Sequence, residues 1–202
     1  MKVIGLTGGI GSGKSTVSKF LAELGAVILN ADEVGHEALK PDTKTWHKVV
    51  TAFGNQILTP AGNIDRKKLG KLVFGNPESI SRLNRIMHPL MYEMVKARLE
   101  DYRQQGTTVV VLEAPLLLEA GWTPLVDEVW MTAALEATVL KRLEERSGMS
   151  HAESLARIRS QLPAEERGKY ADIVINTDCD PDELKARVKE FWQRLELDTL
   201  SS

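Results

Sequence analysis

The chain of 202 residues has one cysteine, Cys179, and no long uninterrupted run of apolar residues. One thiol permits neither an internal disulfide nor a multi-cysteine metal site, which is typical of proteins in a reducing compartment. No apolar stretch approaches the roughly 18 to 20 residues that span a bilayer. A glycine-rich motif already begins at Gly8, so we also expect no signal peptide. These absences predict a cytoplasmic protein without a membrane segment.

An excess of charge of either sign is also missing. Lysine and arginine number 26, and aspartate and glutamate number 28, which gives a formal net charge of −2. Such a chain has no global positive field to attract nucleic acid or an anionic membrane, so we expect neither as a partner. The composition, 43% hydrophobic and 27% charged, is that of ordinary globular proteins. The length predicts a single α/β domain over residues 1–202 with sizeable insertions.

The most informative stretch is Gly8 to Ser15, Gly-Gly-Ile-Gly-Ser-Gly-Lys-Ser, which has the pattern G-x-x-x-x-G-K-[ST]. A β-type run from Lys2 to Leu6 precedes it and a helical pattern follows it, as this phosphate-binding motif requires. The glycines let the backbone curl until several N–H groups point inward, and the following helix directs its positive dipole end to the same place. Because both flanks match, we favour a nucleoside triphosphate site over a simple glycine-rich turn.

The chemistry of the motif predicts roles for its individual residues. Lys14 supplies a cation for the β- and γ-phosphates, and the Ser15 hydroxyl is placed to ligate Mg²⁺. The backbone and side chains that we expect to bind the nucleotide belong to Gly8, Gly9, Ile10, Gly11, Ser12, Gly13, Lys14, Ser15 and Thr16.

Short apolar β-type runs alternate with helical patterns along the chain. The runs lie at residues 2–6, 26–29, 107–113, 128–132 and 173–175. This alternation predicts a three-layer α/β sandwich on a parallel sheet. Ligands bind at the carboxyl ends of the strands in such a sheet, so Asp32, just after the second run, is a candidate for the active site. Its alternative role is to cap the helix that begins at Glu33.

Two helical segments are added to this alternation. Residues 33–105 separate the second strand from the third, although a crossover needs only about a dozen residues. We expect this insertion to bind the second substrate, with helices over residues 33–39, 43–53, 66–74, 77–87 and 89–103 and a break at His88-Pro89. Residues 141–170 are predicted to form a helical lid over phosphates. Its cations are Lys141, Arg142, Arg146, Arg157, Arg159, Arg167 and Lys169.

Other motifs distinguish the classes of phosphate-loop protein. The chain has no N-K-x-D motif, which a guanine-specific GTPase would need, and it is too short for a motor or a helicase. A short core with a helical insertion and late arginines is typical of a kinase that acts on a small substrate. Phosphoryl transfer consists mainly of positioning and charge neutralisation, which an arginine-bearing lid supplies.

The ordered set of motifs resembles the dephospho-CoA kinase family over about residues 3–176. The matching pieces are Ile4 to Ser15, Asn30 to Asp32, His88-Pro89, Glu113 to Leu117 with Glu119, Arg142-Leu143 with Arg146, Arg157 with Gln161, and Ala171 to Asn176.

The resemblance implies a P-loop kinase core, a helical CoA-binding insertion and a lid. It also implies transfer of a phosphate from ATP, with Mg²⁺, to the ribose 3′-hydroxyl of dephospho-CoA, the last step of coenzyme A biosynthesis. By this likeness Asp32 orients the acceptor hydroxyl and takes its proton, and Lys14 and Arg142 stabilise the transferred charge. Arg146 and Asn176 would contact the nucleotide. We expect a monomer or a weak homo-oligomer.

Two positions depart from the family pattern. Asn30 stands where the family usually has aspartate, so the duty of a base falls on Asp32 alone. The turn Asn176-Thr177-Asp178 lacks the glycine that the family commonly has there. Two other functions stay open: a kinase for a nucleoside monophosphate or another small alcohol, and a nucleotide-gated binding protein without an acceptor, which Asn30 favours.

Several further side chains keep two interpretations. Glu113 either lies near Mg²⁺ or caps the turn that follows it. Arg142 and Arg146 share one helix face and either reach phosphates or form a solvated face. His88 either contacts the CoA portion or only marks a helix boundary. Two sets are expected to be structural or solvated rather than substrate-binding: the tryptophans Trp46, Trp122, Trp130 and Trp192, and the basic cluster Arg66, Lys67, Lys68 and Lys71.

Overall fold

The structure is a computed structural model that describes residues 1–73 and 75–200. Five strands occur there where the apolar runs predict them: β1 (Lys2–Gly8), β2 (Val27–Asn30), β3 (Val109–Glu113), β4 (Glu128–Ala133) and β5 (Ile173–Asn176). They form one sheet in the order β2-β3-β1-β4-β5, in which the pairs β1–β3, β1–β4 and β4–β5 are parallel. The predicted α/β fold with a parallel sheet is confirmed.

Helices connect these strands throughout the described residues. Phe74, predicted as the last residue of one helix, and the two C-terminal serines lie outside the described part of the chain. The α-helices are α1 (Lys14–Glu23), α2 (Ala31–Ala38), α3 (Lys44–Phe53), α4 (Arg66–Val73), α5 (Pro77–Gln104), α6 (Glu136–Ser147), α7 (His151–Arg159), α8 (Ala164–Gly168) and α9 (Pro181–Leu200).

The chain divides into two compact units, one of residues 1–29 and 102–202 and the other of residues 30–101. The first unit holds most of the sheet, the phosphate loop and α6 to α9. Its core combines apolar residues of β1, β3, β4 and β5 with one face each of α1 and α9. Trp130 and Trp192 are buried in this core, as expected for structural anchors.

The second unit nearly coincides with the predicted insertion at residues 33–105. It has an apolar cluster of its own, formed by Val49 of α3, Leu69 and Val73 of α4, and the connecting residues Ile57 and Ile64. Leu58 and Ile64 pair across an antiparallel bridge that closes the α3–α4 connection. An ion pair joins Arg98 to Glu37 within this unit. The insertion therefore has its own source of hydrophobic stabilisation.

Helix α5 contradicts one expectation from the sequence. The break predicted at His88-Pro89 is wrong, because a single helix of 28 residues runs through Pro89. Proline removes one intrahelical hydrogen bond and crowds the carbonyl four residues before it. Pro89 is exposed, so the carbonyl left without its bond can be hydrated, and the helix continues to bury Val95 and Leu99. Burial of the later turns outweighs the local cost of the proline.

No helix in the described parts of the chain combines the length and apolar character required to cross a bilayer.

Candidate active site

The phosphate loop joins β1 to α1 with backbone angles that only glycine adopts easily. Gly8 has φ of 150° and Gly13 has φ of 91°. A Cβ on Gly8 would lie 2.7 Å from the carbonyl oxygen of Thr132, and one on Gly13 would lie 3.1 Å from the Thr177 side chain. The loop is thus fixed in its curled form by close approach to the ends of β4 and β5. The N-terminus of α1 opens from it at Lys14, as the motif predicts.

Ser12 shapes the loop through its side chain. Its hydroxyl donates to the Gly9 carbonyl at 2.7 Å and lies 2.7 Å from the Thr132 hydroxyl. Both side chains are buried, and Thr132 stands opposite Gly8 in the pairing of β1 with β4. The Ser12 hydroxyl therefore holds the two halves of the loop together and ties them to the sheet.

Lys14 lies across the mouth of the loop. Its Nζ donates to the carbonyl oxygens of Gly8 at 2.8 Å and Gly9 at 2.9 Å. These contacts hold the ammonium group beside the first two residues of the loop. Ser15 and Thr16 follow on the first turn of α1, where both are exposed.

Arg142 of α6 contacts the second half of the loop. Its guanidinium donates to the carbonyl oxygens of Gly11 at 3.2 Å and Thr177 at 2.7 Å, and to the Thr177 hydroxyl at 3.0 Å. Arg142 thus joins the loop to the turn after β5. Arg146, one turn later on α6, is exposed. Asn176, at the end of β5, is also exposed, and its backbone carbonyl accepts from Arg187 at 2.7 Å.

Thr177 is a site residue that the sequence interpretation missed. It is 1% exposed, and its hydroxyl lies 2.9 Å from the Ser12 carbonyl, to which it donates. The signal available in the sequence was its position, because a polar residue directly after an apolar strand of a parallel sheet lies at the ligand-binding edge.

Glu113 ends β3 and is buried. Its carboxylate accepts from the Ser18 hydroxyl of α1 at 2.7 Å. This contact fixes the Glu113 side chain against α1, the helix that begins at the loop. Neither interpretation from the sequence, a place near Mg²⁺ or a cap of the following turn, included this contact. Ser18 lies one turn beyond the phosphate motif, so the motif does not predict its role.

The segment from α6 to α8, predicted as a lid, borders a cavity of about 470 Å³ that the loop also lines. Gly9, Ile10 and Ser12 form one wall, and Gln161 and Arg167 form part of the other. The side-chain oxygen of Gln161 accepts from the Ile10 N–H at 2.8 Å.

Helix α7 begins with a capping box, in which hydrogen bonds from the Ser150 hydroxyl and backbone lower the pKa of Glu153.

Asp32 belongs to the second unit and is exposed in the first turn of α2. Asn30 is the N-cap of this helix, and its side-chain oxygen accepts from the backbone N–H groups of Asp32 at 2.8 Å and Glu33 at 3.3 Å. The alternative in which Asp32 caps the helix is therefore wrong. Asn30, which stands where the family pattern usually has aspartate, caps the helix. The Asp32 carboxylate is therefore not the group that caps α2.

Two other candidates lie in the second unit, on α5 and α4. His88 is half-buried within the continuous α5. The basic cluster of α4 is exposed, and Lys68 donates to the Leu58 carbonyl at 2.9 Å. The exposure of the α4 cations agrees with the solvated interpretation that the sequence favoured for them.

A parallel sheet whose first strand enters a phosphate loop, with an arginine-bearing helical segment against that loop, defines the chain as a P-loop kinase. The model of the dephospho-CoA kinase family matches residues 2–183. The chain belongs to the dephospho-CoA kinase family, as the resemblance seen in the sequence predicts.

Known proteins agree with this assignment over nearly the whole chain. A dephospho-CoA kinase of Dehalococcoides mccartyi is 48% identical over 98% of this chain and 100% of its own length. The structure of a dephospho-CoA kinase from Campylobacter jejuni superposes with a TM-score of 0.74 at 26% identity, covering 98% of this chain and 100% of that one. A Thermus thermophilus crystal structure gives a TM-score of 0.79 at 31% identity, with coverages of 96% and 97%.

Proposed function

We propose that this chain transfers the γ-phosphate of ATP to the ribose 3′-hydroxyl of dephospho-CoA, with CoA and ADP as products. The observation that supports this most strongly is the kinase phosphate loop in a chain whose residues 2–183 match the dephospho-CoA kinase model. The backbone N–H groups of the loop and Lys14 would supply donors for a triphosphate. Transfer then depends on holding the phosphates and neutralising charge that spreads over the transferred group.

A magnesium ion fits the residues of this loop. Among the described residues no group of three or more His, Cys, Asp or Glu side chains is placed to hold a metal. Mg²⁺ bound to a nucleotide needs only one or two protein oxygens, because phosphates and water supply the other ligands. We assign the exposed Ser15 hydroxyl to this ion, which would neutralise phosphate charge when bound.

Asp32 is proposed to accept the proton of the attacking hydroxyl. An alcohol that attacks phosphorus benefits from a carboxylate acceptor even when bond formation is little advanced. Because Asn30 caps α2, the Asp32 carboxylate is not committed to the helix terminus. Asn30 itself has an amide and cannot accept a proton in this way.

Arg142 and its neighbours are proposed to hold the nucleotide. Arg142 bridges Gly11 and Thr177, which supports a role in fixing the loop. From this position its guanidinium would stabilise the charge of the transferred phosphate. Arg146 and Asn176 are exposed near that helix and strand end, and we retain them as nucleotide contacts. We further propose that the enzyme works in the cytoplasm as a monomer or a weak homo-oligomer.

Replacing Thr177 with valine tests the contact between the loop and Arg142. The change keeps the shape but leaves an Arg142 N–H and the Ser12 carbonyl without their hydroxyl partner. A buried group left unpaired costs about 1–3 kcal/mol, so we expect KM for ATP to rise about tenfold or more. The matched control is Thr177→Ser, which keeps the hydroxyl and should stay close to wild type. A serine variant as impaired as the valine variant would contradict the hydroxyl's role.

The proposed activity is tested by ADP release from Mg²⁺-ATP with and without dephospho-CoA. AMP, adenosine and shikimate serve as competing acceptors. We expect strong stimulation by dephospho-CoA alone, with CoA as the second product. Stimulation by another acceptor would move the function to the second kinase hypothesis. ATP binding without stimulation by any acceptor would favour the nucleotide-gated binding protein.

A further inference from the structure

The helical insertion carries a local excess of positive charge. Residues 44–89 contain eight lysines and arginines and two acidic residues, a formal charge of +6 within a chain whose net charge is −2. Helix α3 has no acidic residue. In the first three turns of α5 the one acidic residue is Glu78, which is exposed. A local field of this kind attracts and concentrates anions.

Four basic side chains of this segment meet at one cavity. The cavity has a volume of about 590 Å³ and is lined by His47 and Lys48 of α3 and by Arg82 and Arg85 of α5. Among the described residues, no acidic side chain lines it. On each helix the lining positions follow the three- and four-residue spacing of a single face. Two rows of cations therefore border the same space.

These cations are not neutralised by the protein. In the parts of the chain that the structure describes, no carboxylate forms an ion pair with any of the four. The guanidinium carbon of Arg82 lies 5.8 Å from the centroid of the Phe53 ring, which holds the side chain without supplying a negative charge. Like charges around one cavity repel each other, so a bound anion would stabilise this face.

The cavity lies on the face of α5 that is turned away from α2. Met91 marks the face toward α2, because a Cβ built on Gly35 would lie 3.3 Å from the Met91 Cε. Nine residues, or about two and a half helical turns, separate Arg82 from Met91, which places them on opposite faces of α5. Asp32 belongs to α2. The cavity is therefore separate from the helix that carries the proposed base.

We propose that this cavity is a second ligand site, which binds the diphosphate group of a small molecule outside the phosphate loop. A diphosphate carries charge on two adjacent phosphorus centres, so it can contact the cations of both helices at once. Guanidinium groups bind phosphate oxygens in charge-assisted, often bidentate hydrogen bonds. The volume is that of a small-molecule site. Free pyrophosphate and a diphosphate within a larger organic molecule share this chemistry.

The test is calorimetry with the phosphate loop filled by AMP-PNP, a non-hydrolysable triphosphate, and Mg²⁺ in excess. The probes are inorganic pyrophosphate and UDP-glucose, and the tighter of the two identifies the free or the organic source. Arg85→Gln should weaken the tighter probe about tenfold, and Arg82→Gln combined with Arg85→Gln about 100-fold, as expected for lost charge-assisted hydrogen bonds. The matched control is Lys67→Gln, an exposed cation of α4 outside the cavity, which should change the affinity less than about twofold.

Absence of binding to the wild type, or equal weakening by Lys67→Gln, would overturn the proposal, because general attraction by the charged segment does not require a site. Affinity for dephospho-CoA, measured in the same way, should be unchanged in the arginine variants; a parallel loss would make the cavity part of the acceptor site and overturn its separate role. Thermal melting checks folding, and Arg85→Gln, which leaves the stacking of Arg82 intact, decides the outcome if the double variant does not fold. Turnover by the wild type is measured separately, so failure of the proposed function would leave this test valid.

Discussion

Replacement of Lys14 by alanine is expected to lower kcat/KM for phosphoryl transfer by about 10³-fold, the size of effect seen when a single charge-stabilising group is removed from such sites. Lys14 Nζ lies at the loop, where it donates to the carbonyl oxygens of Gly8 and Gly9. A phosphate group bound in the loop would lie close to this cation, whose charge stabilises the transferred group. The measurement is steady-state ADP release at varied ATP concentration with saturating dephospho-CoA.

Lys19→Ala is the control for this change. Lys19 lies on the same helix, α1, but is exposed and outside the phosphate motif. Its loss alters the net charge equally and should change kcat/KM by less than about twofold, because exposed charges are screened. A Lys14 variant that kept most of its activity, with the control unchanged, would remove Lys14 from the catalytic site.

Replacement of Asp32 by asparagine is expected to lower kcat by about 10²- to 10⁴-fold, the usual contribution of a positioned general base. The amide has nearly the shape of the carboxylate but cannot take up the proton of the attacking hydroxyl. The affinity for ATP should be unchanged, since no nucleotide contact is assigned to this side chain. Asn30 caps α2, so the change should also leave the helix terminus intact.

The matched control for Asp32 is Glu33→Gln. Glu33 is the next residue in the same exposed first turn, and its backbone N–H is bound by the same Asn30 oxygen. Both changes remove one negative charge near the positive end of α2 and so have similar effects on helix stability. Equal kcat values for the two variants, or a loss of only a few fold in Asp32→Asn, would contradict the assignment of the base.

The parts of the fold that the sequence predicted well depend on local rules. The phosphate motif specifies a strand, a loop and a helix within a few residues, because its glycines and its Lys-Ser pair are tied to one backbone geometry. The apolar runs likewise located all five strands, since a strand buried on both faces needs an uninterrupted apolar stretch. Gly25 correctly marked the end of α1 for the same local reason.

The parts that the sequence did not predict depend on partners far apart in the chain. Ile10 and Gln161 are separated by 151 residues, and Arg142 and Thr177 by 35. In both pairs a side chain binds backbone or a hydroxyl, which leaves no charge pattern in the sequence. The sequence predicts the arginines of the α6–α8 segment only as a set. Tertiary packing decides which arginine is buried beside a carboxylate and which is exposed.

Pro89 shows the opposite error, in which a local rule was given too much weight. The proline is incompatible with one hydrogen bond of α5, and the sequence interpretation took this as a boundary. The loss is confined to one exposed turn, whereas ending the helix would have exposed the apolar residues that follow. Propensity rules give the free-energy cost of a proline within a helix. They do not include the burial of apolar residues further along the helix, which offsets that cost.

The separate apolar cluster of residues 30–101 also affects how the native state opens. Amide protons exchange with solvent through local and subglobal opening, and each cooperative unit has its own opening free energy. Helices α3 and α4 are held by the cluster around Val49 and Leu69, whereas the strands are held by the core around Leu6 and Trp130. The helical insertion can therefore unfold transiently, and exchange its amides, while the sheet that forms the phosphate loop stays protected.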